Sequence, residues 1–222
     1  FPLVKALSKL DIDGEKATEV IIISRNSADT SLRIFNSIKH YGLDISRAAL
    51  LSGSSIEPYL EPFKTDLFLS ANPHDVQAAV NAGVAAGVIC SHPELNVDPD
   101  DDIAQIRIAF DGDAVLFSNE SEKIYQAEGL AAFEQHEIRN ADIPLNAGPF
   151  AKLLYTLSRL QESFPGDESP ICTALVTSRG APAHERAIKT LRSWNIRVDK
   201  AFFLGGIEKS SVFKGLRCSH IF

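Results

Sequence analysis

Short apolar runs alternate with helically periodic stretches along most of the chain. Runs rich in Val, Ile, Leu or Phe have the length of buried strands, and they predict strands over 20–23, 48–51, 66–69, 88–90, 106–110, 173–176 and 201–204, with another beginning at 220. Between these runs, apolar residues recur every three or four positions, which predicts helices over 2–10, 120–140 and 150–160 and three more that carry Ile34, Val76 and Ala187. This alternation is typical of the α/β class, in which helices cover both faces of a parallel sheet.

Polar, turn-forming stretches mark the boundaries of these elements. Asn72 followed by Pro73 is a strong helix start, because Asn is a good N-cap and Pro suits the first helical position. Residues 11–16 predict a polar loop, and the acidic, proline-containing stretch 93–102 predicts a connector. We therefore expect an N-terminal α/β half over 1–98 and a second half over 99–222.

The two halves also resemble each other in sequence. From Arg33 and Arg186 onward, an alignment without gaps pairs similar or identical residues: Tyr41 with Trp194, Ala48 with Ala201, Leu51 with Leu204 and Gly53 with Gly206. A separate match of Ile23-Ser24-Arg25 with Thr177-Ser178-Arg179 places Thr177 where the first half has Ile23, and the gap-free alignment places Lys209 where it has Ile56. The pattern fits either an ancient duplication or the recurrence of one strand–helix unit. It assigns the polar chemistry to the second half and a scaffold role to the first.

Composition and charge narrow the classes of function. The formal net charge is −7 and no cluster of Lys or Arg stands out, which argues against a surface for a nucleic-acid polymer. A small anionic ligand would then need a local cation or a metal ion. Cys90, Cys172 and Cys218 lack metal-ligand spacing, which favours free thiols in a reducing compartment. No export signal or membrane-length apolar run is visible, so we expect a cytoplasmic protein without membrane association.

The most distinctive polar group follows the apolar run 106–110 and reads Asp111-Gly112-Asp113. If that run is a buried parallel strand, its carboxyl end is where ligands bind in α/β proteins. Two carboxylates two positions apart suit a division of labour, in which one attacks phosphorus or holds a cation while the other transfers a proton. Gly112 would let the backbone approach a ligand closely. The competing interpretation is an Asp-Gly turn in a β-hairpin.

Thr177 and Lys209 lie at or just beyond two later predicted strands, and with the two aspartates they supply the groups of a phosphate-handling site. Individually each is weak evidence, because a threonine after a strand is commonly a turn or cap residue and a lysine in a Gly/Ser-rich loop is commonly solvated. Ser178 and Arg179 would either cap the following helix or direct their N–H groups at phosphate. Two histidines without companions at metal-ligand spacing are interpreted as surface residues, namely His136 and His184.

The stretch that begins with these aspartates, D-G-D-A-V-L-F-S-N-E-S-E over 111–122, resembles the first motif of the haloacid-dehalogenase (HAD) phosphatases. More narrowly, it resembles the cytosolic 5′-nucleotidases of the type I class, and the resemblance extends over nearly the whole chain. It implies a HAD-like, Rossmann-like α/β fold: a three-layer parallel sheet with helices on both faces and a helical cap inserted at about 118–148. Aromatic residues of that region would be candidates to stack on a nucleobase, although such side chains more commonly belong to the core: Phe117, Tyr125 and Phe133.

The resemblance also implies roles for the site residues. Asp111 would be the nucleophile that forms an aspartyl-phosphate, and Asp113 would protonate the leaving ribose oxygen and then activate water. Thr177 would bind the phosphoryl group, and Lys209 would pair with Asp111 and the phosphate. Mg²⁺ would be held by the Asp111 carboxylate and the main-chain carbonyl of Asp113, with a further acidic pair of the family expected just beyond Phe222. Substrate-binding residues would be Gly112, Ser178 and Arg179.

The resemblance thus implies a Mg²⁺-dependent 5′-nucleotidase that hydrolyses nucleoside monophosphates such as AMP or dAMP and forms a homo-oligomer. Three alternatives stay open: a HAD phosphatase of another small phosphomonoester, a receiver-type signalling module, and a non-catalytic nucleotide-binding or regulatory protein. Receiver domains are much shorter and lack a carboxylate two residues after the nucleophile. Asp113 therefore argues against the signalling module.

Overall fold

The computed structural model describes residues 2–89, 105–165, 168–216 and 220–222. They form two compact units whose boundary in the sequence lies between Ile106 and Arg107. Both units contain parallel strand pairs and helices, which confirms the predicted α/β class. The predicted connector 93–102 lies outside the described residues, as do Cys90 and Cys218. In the part of the chain that the structure describes, no helix is long and apolar enough to cross a membrane.

The first unit consists of short helices and three strand pairs. In chain order its elements are α1 (Pro2–Ser8), β1 (Asp11–Ile12), β2 (Glu15–Lys16), β3 (Ile21–Ser24), α2 (Leu32–His40), β4 (Arg47–Leu50), α3 (Glu57–Leu60), β5 (Leu67–Ser70), α4 (Pro73–Asn81) and β6 (Ala85–Val88). The pairs β3–β4 and β5–β6 are parallel, whereas β1 and β2 form an antiparallel hairpin where a loop was predicted. Around β5, β6 and α4, apolar side chains form one core cluster: Ile56, Leu60, Phe68, Val76, Ala79 and Ala86.

Local chemistry explains where α4 begins. The Asn72 side-chain oxygen accepts a hydrogen bond from the His74 N–H at 3.0 Å, and Pro73 is the first helical residue. The predicted helix start is therefore confirmed. Two features differ from the prediction. The four-residue helix α3 was not predicted, and β6 ends at Val88, where the predicted strand 88–90 was expected to begin.

The second unit contains a four-stranded sheet. Its elements are β7 (Ile106–Asp111), α5 (Glu120–Glu128), α6 (Leu130–Arg139), α7 (Ala151–Gln161), β8 (Ile171–Thr177), α8 (His184–Ser193), β9 (Lys200–Phe203), α9 (Ser210–Leu216) and β10 (His220–Ile221). The strand order is β10-β7-β8-β9, and the outer pairs β10–β7 and β8–β9 are parallel. Every residue of β8 is buried, as expected for a central strand with both faces covered.

Helical segments contact both faces of this sheet. On one face, Ala109, Ala174 and Val176 cluster with Leu216 of α9. Successive residues of a strand point to opposite faces, so Phe110 lies on the other face. There its ring packs against that of Phe150, which immediately precedes α7, with centroids 6.3 Å apart.

Three predictions about this unit are corrected. The single helix over 120–140 is two helices, because Gly129 has φ +83°, a conformation that only glycine adopts cheaply. Helix α9 was not predicted, since its stretch contains a glycine and two serines. The hairpin interpretation of Asp111-Gly112 is wrong, because Asp111 ends a strand with a parallel neighbour and the chain goes on into α5.

The hydrogen-bond register also corrects the alignment of the two halves. The Leu51 N–H donates to the Ser24 carbonyl at 2.8 Å, and the Leu204 N–H donates to the Thr177 carbonyl at 3.0 Å. If Leu51 and Leu204 correspond, Thr177 corresponds to Ser24 and not to Ile23. The separate match of Ile23-Ser24-Arg25 with Thr177-Ser178-Arg179 was displaced by one residue because it aligned the two arginines, whereas the gap-free alignment from Arg33 and Arg186 onward agrees with the hydrogen-bond register.

The corrected register pairs two hydroxyl residues with the same local hydrogen bond. Ser24 Oγ accepts from the Asn26 N–H at 3.2 Å, and Thr177 Oγ1 accepts from the Arg179 N–H at 3.2 Å. Each hydroxyl ends the first strand of a parallel strand–helix–strand unit. The two halves thus share the parallel strand–helix–strand unit and the hydrogen bond in the turn that follows its first strand.

Candidate active site

Three sequence-predicted residues meet at one end of the second unit's sheet. Asp111 is the last residue of β7, and Thr177 is the last residue of the neighbouring strand β8. Gly112 lies so close to Thr177 that a β-carbon on it would be 2.8 Å from Thr177 Oγ1. The loop that carries both aspartates is therefore packed directly against the hydroxyl residue of the next strand.

Lys209 completes this group from the loop between β9 and α9. Its Nζ lies 2.6 Å from Asp111 Oδ2, while Asp111 Oδ1 accepts a hydrogen bond from the Gly112 N–H at 2.7 Å. The Asp111 and Lys209 side chains are 34% and 25% exposed, so solvent and small ligands can reach the pair. Lys209 is thus an ion-pair partner and not the freely solvated lysine that its loop suggested.

Thr177 and the two residues after it are placed very differently. Thr177 is buried, Ser178 is exposed, and Arg179 is buried again. Helix α8 begins only at His184, so Ser178 and Arg179 do not cap it. Substrate binding by Gly112, Ser178 and Arg179 stays a prediction, and the Arg179 N–H is already donated to Thr177 Oγ1.

Asp113 is held by the Arg179 guanidinium in a two-pronged contact. Arg179 Nη2 donates to Asp113 Oδ1 at 2.6 Å, and Nε donates to Oδ2 at 2.9 Å. Such fork-like pairing is among the strongest hydrogen-bonded ion pairs and fixes the plane of the carboxylate. The Asp113 side chain keeps 19% exposure on its other side. The second aspartate of the motif is therefore positioned by the protein while one side stays accessible.

Arg179 is itself held on every side. Its remaining terminal nitrogen, Nη1, is hydrogen-bonded to Glu137 Oε2, and its side chain is 1% exposed. The guanidinium carbon lies 5.8 Å from the ring centroid of Phe117 and 5.4 Å from that of Phe133, within cation–π range. Burial alone would lower the pKa of Arg179, but Asp113 and Glu137 outweigh it and hold that pKa above its usual value.

Glu137 of α6 is the centre of this buried network. Its Oε1 accepts hydrogen bonds from Ser121 Oγ at 2.7 Å and Arg186 Nη1 at 3.0 Å, and Arg186 also donates to Glu120 Oε1 at 2.9 Å. Burial raises the pKa of Glu137, but Arg179, the Ser121 hydroxyl and Arg186 together outweigh burial and hold the pKa below its usual value of 4.5. The carboxylate is therefore ionised at neutral pH.

Glu137 and Arg186 were not predicted from the sequence. Both lie on amphipathic helices, where a charged residue normally indicates a solvated face, and only the fold turns them inward. The two histidines that were predicted to be surface residues are partly exposed, and each has a neighbour. His136 Nδ1 lies 3.2 Å from Glu137 Oε1, and the half-buried His184 packs against the Phe203 ring.

The aromatic candidates are placed differently from one another. Phe117 is completely buried and packs against Trp194, with ring centroids 5.8 Å apart. Phe133 covers Arg179 on one side and meets the edge of Tyr125 on another. Tyr125 is 48% exposed, so it is the most accessible of the three.

The donors at the end of β7 fit a metal ion that binds together with substrate. Among the described residues, no three acidic, His or Cys side chains are grouped to hold a metal. The partly exposed Asp111 carboxylate and the Asp113 main-chain carbonyl are oxygen donors of the kind that Mg²⁺ prefers. Mg²⁺ keeps several waters and usually takes one or two carboxylates plus substrate phosphates, and these two donors are compatible with that mode of binding.

Comparison with known proteins gives a consistent result. A family model described as 5′-nucleotidase matches residues 1–222. Human "Cytosolic 5'-nucleotidase 1B" is 36% identical over 234 residues, an alignment that covers all of this chain and 38% of the relative. The chain thus spans 38% of the length of that relative. No solved structure gives a significant match.

Proposed function

The chain belongs to the 5′-nucleotidase family, and from this premise we propose that it carries the catalytic centre of a Mg²⁺-dependent 5′-nucleotidase. The substrates are nucleoside 5′-monophosphates such as AMP or dAMP, and the products are nucleoside and inorganic phosphate. The observation that carries the proposal is the Asp111–Lys209 ion pair of 2.6 Å beside the Gly112–Thr177 contact. It supplies a partly exposed nucleophile and cation, with a buried hydroxyl next to them, at one edge of the sheet.

In the first step, an Asp111 carboxylate oxygen attacks phosphorus and the bond from phosphorus to the 5′ oxygen breaks. The proton that this oxygen needs comes from Asp113, two residues along the same loop. Lys209 offsets charge on Asp111 and on the phosphoryl oxygens, and Thr177 holds one of those oxygens. The nucleoside leaves and an aspartyl-phosphate remains.

In the second step, water attacks phosphorus and gives its proton to Asp113. The bond between phosphorus and the Asp111 oxygen breaks, which restores the carboxylate and releases phosphate. Asp113 is then protonated again and the cycle is complete. A receiver-type module lacks this second carboxylate, so its phosphoenzyme is not hydrolysed in the same way.

Mg²⁺ would be held by the Asp111 carboxylate and the main-chain carbonyl of Asp113, and when bound it neutralises charge on the phosphoryl oxygens. Both donors lie at the end of β7, where Lys209 already supplies positive charge. The roles proposed for Asp111, Asp113, Thr177 and Lys209 are the same with the metal bound.

We propose the finer structural assignments on the same basis. The second unit would be a HAD-like catalytic domain, with 118–148 as its cap insertion, and the first unit a scaffold of related architecture. The family relationship supports a homo-oligomer, and the name of the human relative supports a cytosolic location. The net charge of −7 supports the absence of nucleic-acid polymers and membranes among the partners.

The test is phosphate release by the natural full-length protein from a panel of nucleoside and sugar monophosphates, with Mg²⁺ and with EDTA. We expect Mg²⁺-dependent hydrolysis of nucleotides. Asp111→Asn should lower kcat by about 10³-fold or more, since loss of a covalent nucleophile removes most of the catalytic acceleration. The matched control is Asp29→Asn, the same chemical change at an exposed position of the first unit.

Each other outcome has a definite meaning. Turnover of sugar phosphates alone would replace the nucleotidase by a general phosphomonoester phosphatase. Nucleotide binding without turnover would show a regulatory protein. Full activity of Asp111→Asn would remove Asp111 from the role of nucleophile.

A further inference from the structure

We propose that Arg179 is a positioning residue for Asp113, and that Glu137 of α6 fixes Arg179 in that role. This inference rests on the proposed function, because it concerns the proton transfer of that reaction. In this role Arg179 does not contact the substrate but acts through Asp113. The α5–α6 segment, which carries Glu137, then helps to orient the carboxylate that transfers the proton.

The geometry commits Arg179 to carboxylates. All three of its guanidinium nitrogens are engaged by acidic side chains, and the side chain is 1% exposed. Its Nε and Nη2 both donate to Asp113, and Nη1 is committed to Glu137. Arg179 therefore reaches the substrate only through the carboxylate that it holds.

The charge of Arg179 favours proton transfer from Asp113. When Asp113 gives its proton to the leaving oxygen, a negative charge develops on the Asp113 carboxylate. The Arg179 fork is already aligned with both oxygens of that carboxylate, so the contact strengthens as the transition state forms. Because Glu137 and the rings of Phe117 and Phe133 hold Arg179 in place, no reorganisation is needed at that moment.

The position of Glu137 in the chain connects this pair to the α5–α6 segment. Glu137 lies on α6, between the nucleophile and Thr177 in sequence. Its Oε1 accepts hydrogen bonds from Ser121 and Arg186. A displacement of α6 would move Glu137 and so loosen Arg179 and Asp113. Proton transfer would then depend on the placement of this segment even though none of its carboxylates contacts the reacting atoms.

The experiment compares two substrates that differ in one atom: AMP and its analogue with sulfur in place of the bridging 5′ oxygen. A thiolate leaves without the full proton transfer that an alkoxide requires, so the analogue depends little on Asp113. Single-turnover release of the nucleoside by the full-length protein isolates the first step. We compare wild type, Arg179→Gln, Asp113→Asn and the double variant.

We expect Arg179→Gln to slow AMP cleavage by about 10²-fold, the order of general acid catalysis, and to slow the sulfur analogue by less than about 10-fold. Asp113→Asn should show the same bias, and the double variant should be no slower than Asp113→Asn alone, because the two residues act as one unit. Arg179→Lys, which keeps the charge but not the fork, should lie between wild type and Arg179→Gln. The matched control is Arg159→Gln, which removes an exposed arginine paired with Glu162.

Equal slowing of both substrates by Arg179→Gln would show a merely structural role and overturn the proposal. So would additive losses in the double variant. If wild type cleaves neither substrate, the proposed function fails and this inference fails with it, a result that differs from turnover without substrate bias.

Discussion

Gly112 matters to the site because it has no β-carbon. It separates the two carboxylates, and its Cα surface lies against Thr177. Any residue with a β-carbon would force Thr177 or the loop to move, and with it Asp111 or Asp113. The close contact with Thr177 thus explains why a glycine is needed at position 112, even without a bound ligand.

The corresponding prediction is that Gly112→Ala destabilises the protein by about 1–3 kcal/mol, the usual cost of overpacking. We expect kcat for nucleotide hydrolysis to fall as well, because Thr177 and the aspartates no longer keep their spacing. The matched control is Gly215→Ala in α9, where a β-carbon would meet no atom within 4 Å. Urea unfolding of both variants checks the difference, and equal stabilities would contradict the close approach.

At the scale of elements, the break between α5 and α6 explains how two distant carboxylates bind one arginine. Glu120 and Glu137 both contact Arg186, at 2.9 and 3.0 Å. In one continuous helix, residues with this separation in sequence would lie about 25 Å apart, at 1.5 Å per residue. Gly129 turns the chain back, and the Tyr125 and Phe133 rings meet across the two helices.

The pH dependence of stability tests the ionic character of this connection. The pKa of Glu137 is lowered in the folded state, so its ion pairs stabilise the protein above its usual pKa of 4.5 and the stabilisation is lost as pH falls through the folded value. We expect Glu137→Gln to cost about 3–5 kcal/mol at neutral pH, as for one partner of a buried pair. As the pH falls below 4.5 and through the lowered pKa of Glu137, the difference from wild type should shrink.

The matched control for this experiment is Glu162→Gln, which breaks an exposed pair with Arg159. Its cost should stay below about 1 kcal/mol at every pH. Urea unfolding at a series of pH values gives both differences. A Glu137→Gln difference that is constant with pH would mean that packing, and not charge, holds α6 to Arg179.

At the scale of the whole molecule, the two units share an architecture but not the chemistry. Ser24 and Thr177 end the first strand of equivalent parallel units and accept the same hydrogen bond from the residue two positions later. Only Thr177 has a neighbouring strand that ends in a carboxylate paired with lysine. The corrected register therefore makes Ser24 the natural control for Thr177.

We predict that Thr177→Val lowers kcat/KM for nucleotide hydrolysis by about 10–10³-fold, because a donor to the phosphoryl oxygens is lost while the shape is kept. Ser24→Ala should leave kcat/KM within about 2-fold of wild type, since the first unit is proposed to be a scaffold and, among the described residues, its strand pair carries no carboxylate–lysine pair at this position. Steady-state kinetics on the two variants decides this. A comparable loss in Ser24→Ala would show that the first unit also takes part in the reaction.

The site could be anticipated from sequence only in part. Asp111, Asp113, Thr177 and Lys209 were predicted as one group. The structure places Lys209 on Asp111 and Thr177 against Gly112, and it pairs Asp113 with Arg179. The Arg179 fork on Asp113 and the Glu137 network were not predicted, because a charged residue on an amphipathic helix has the same local pattern whether it is solvated or buried in an ion pair.

The features that could be predicted from the sequence are therefore local. Apolar periodicity specified the alternation of strands and helices, and Asn72-Pro73 specified a helix start, because each depends on neighbouring residues only. The tertiary structure alone decided which charges meet. Lys209 and Asp111 are 98 positions apart and Arg179 and Asp113 are 66 apart, so their pairing follows from strand order and from the break at Gly129, which no local pattern encodes.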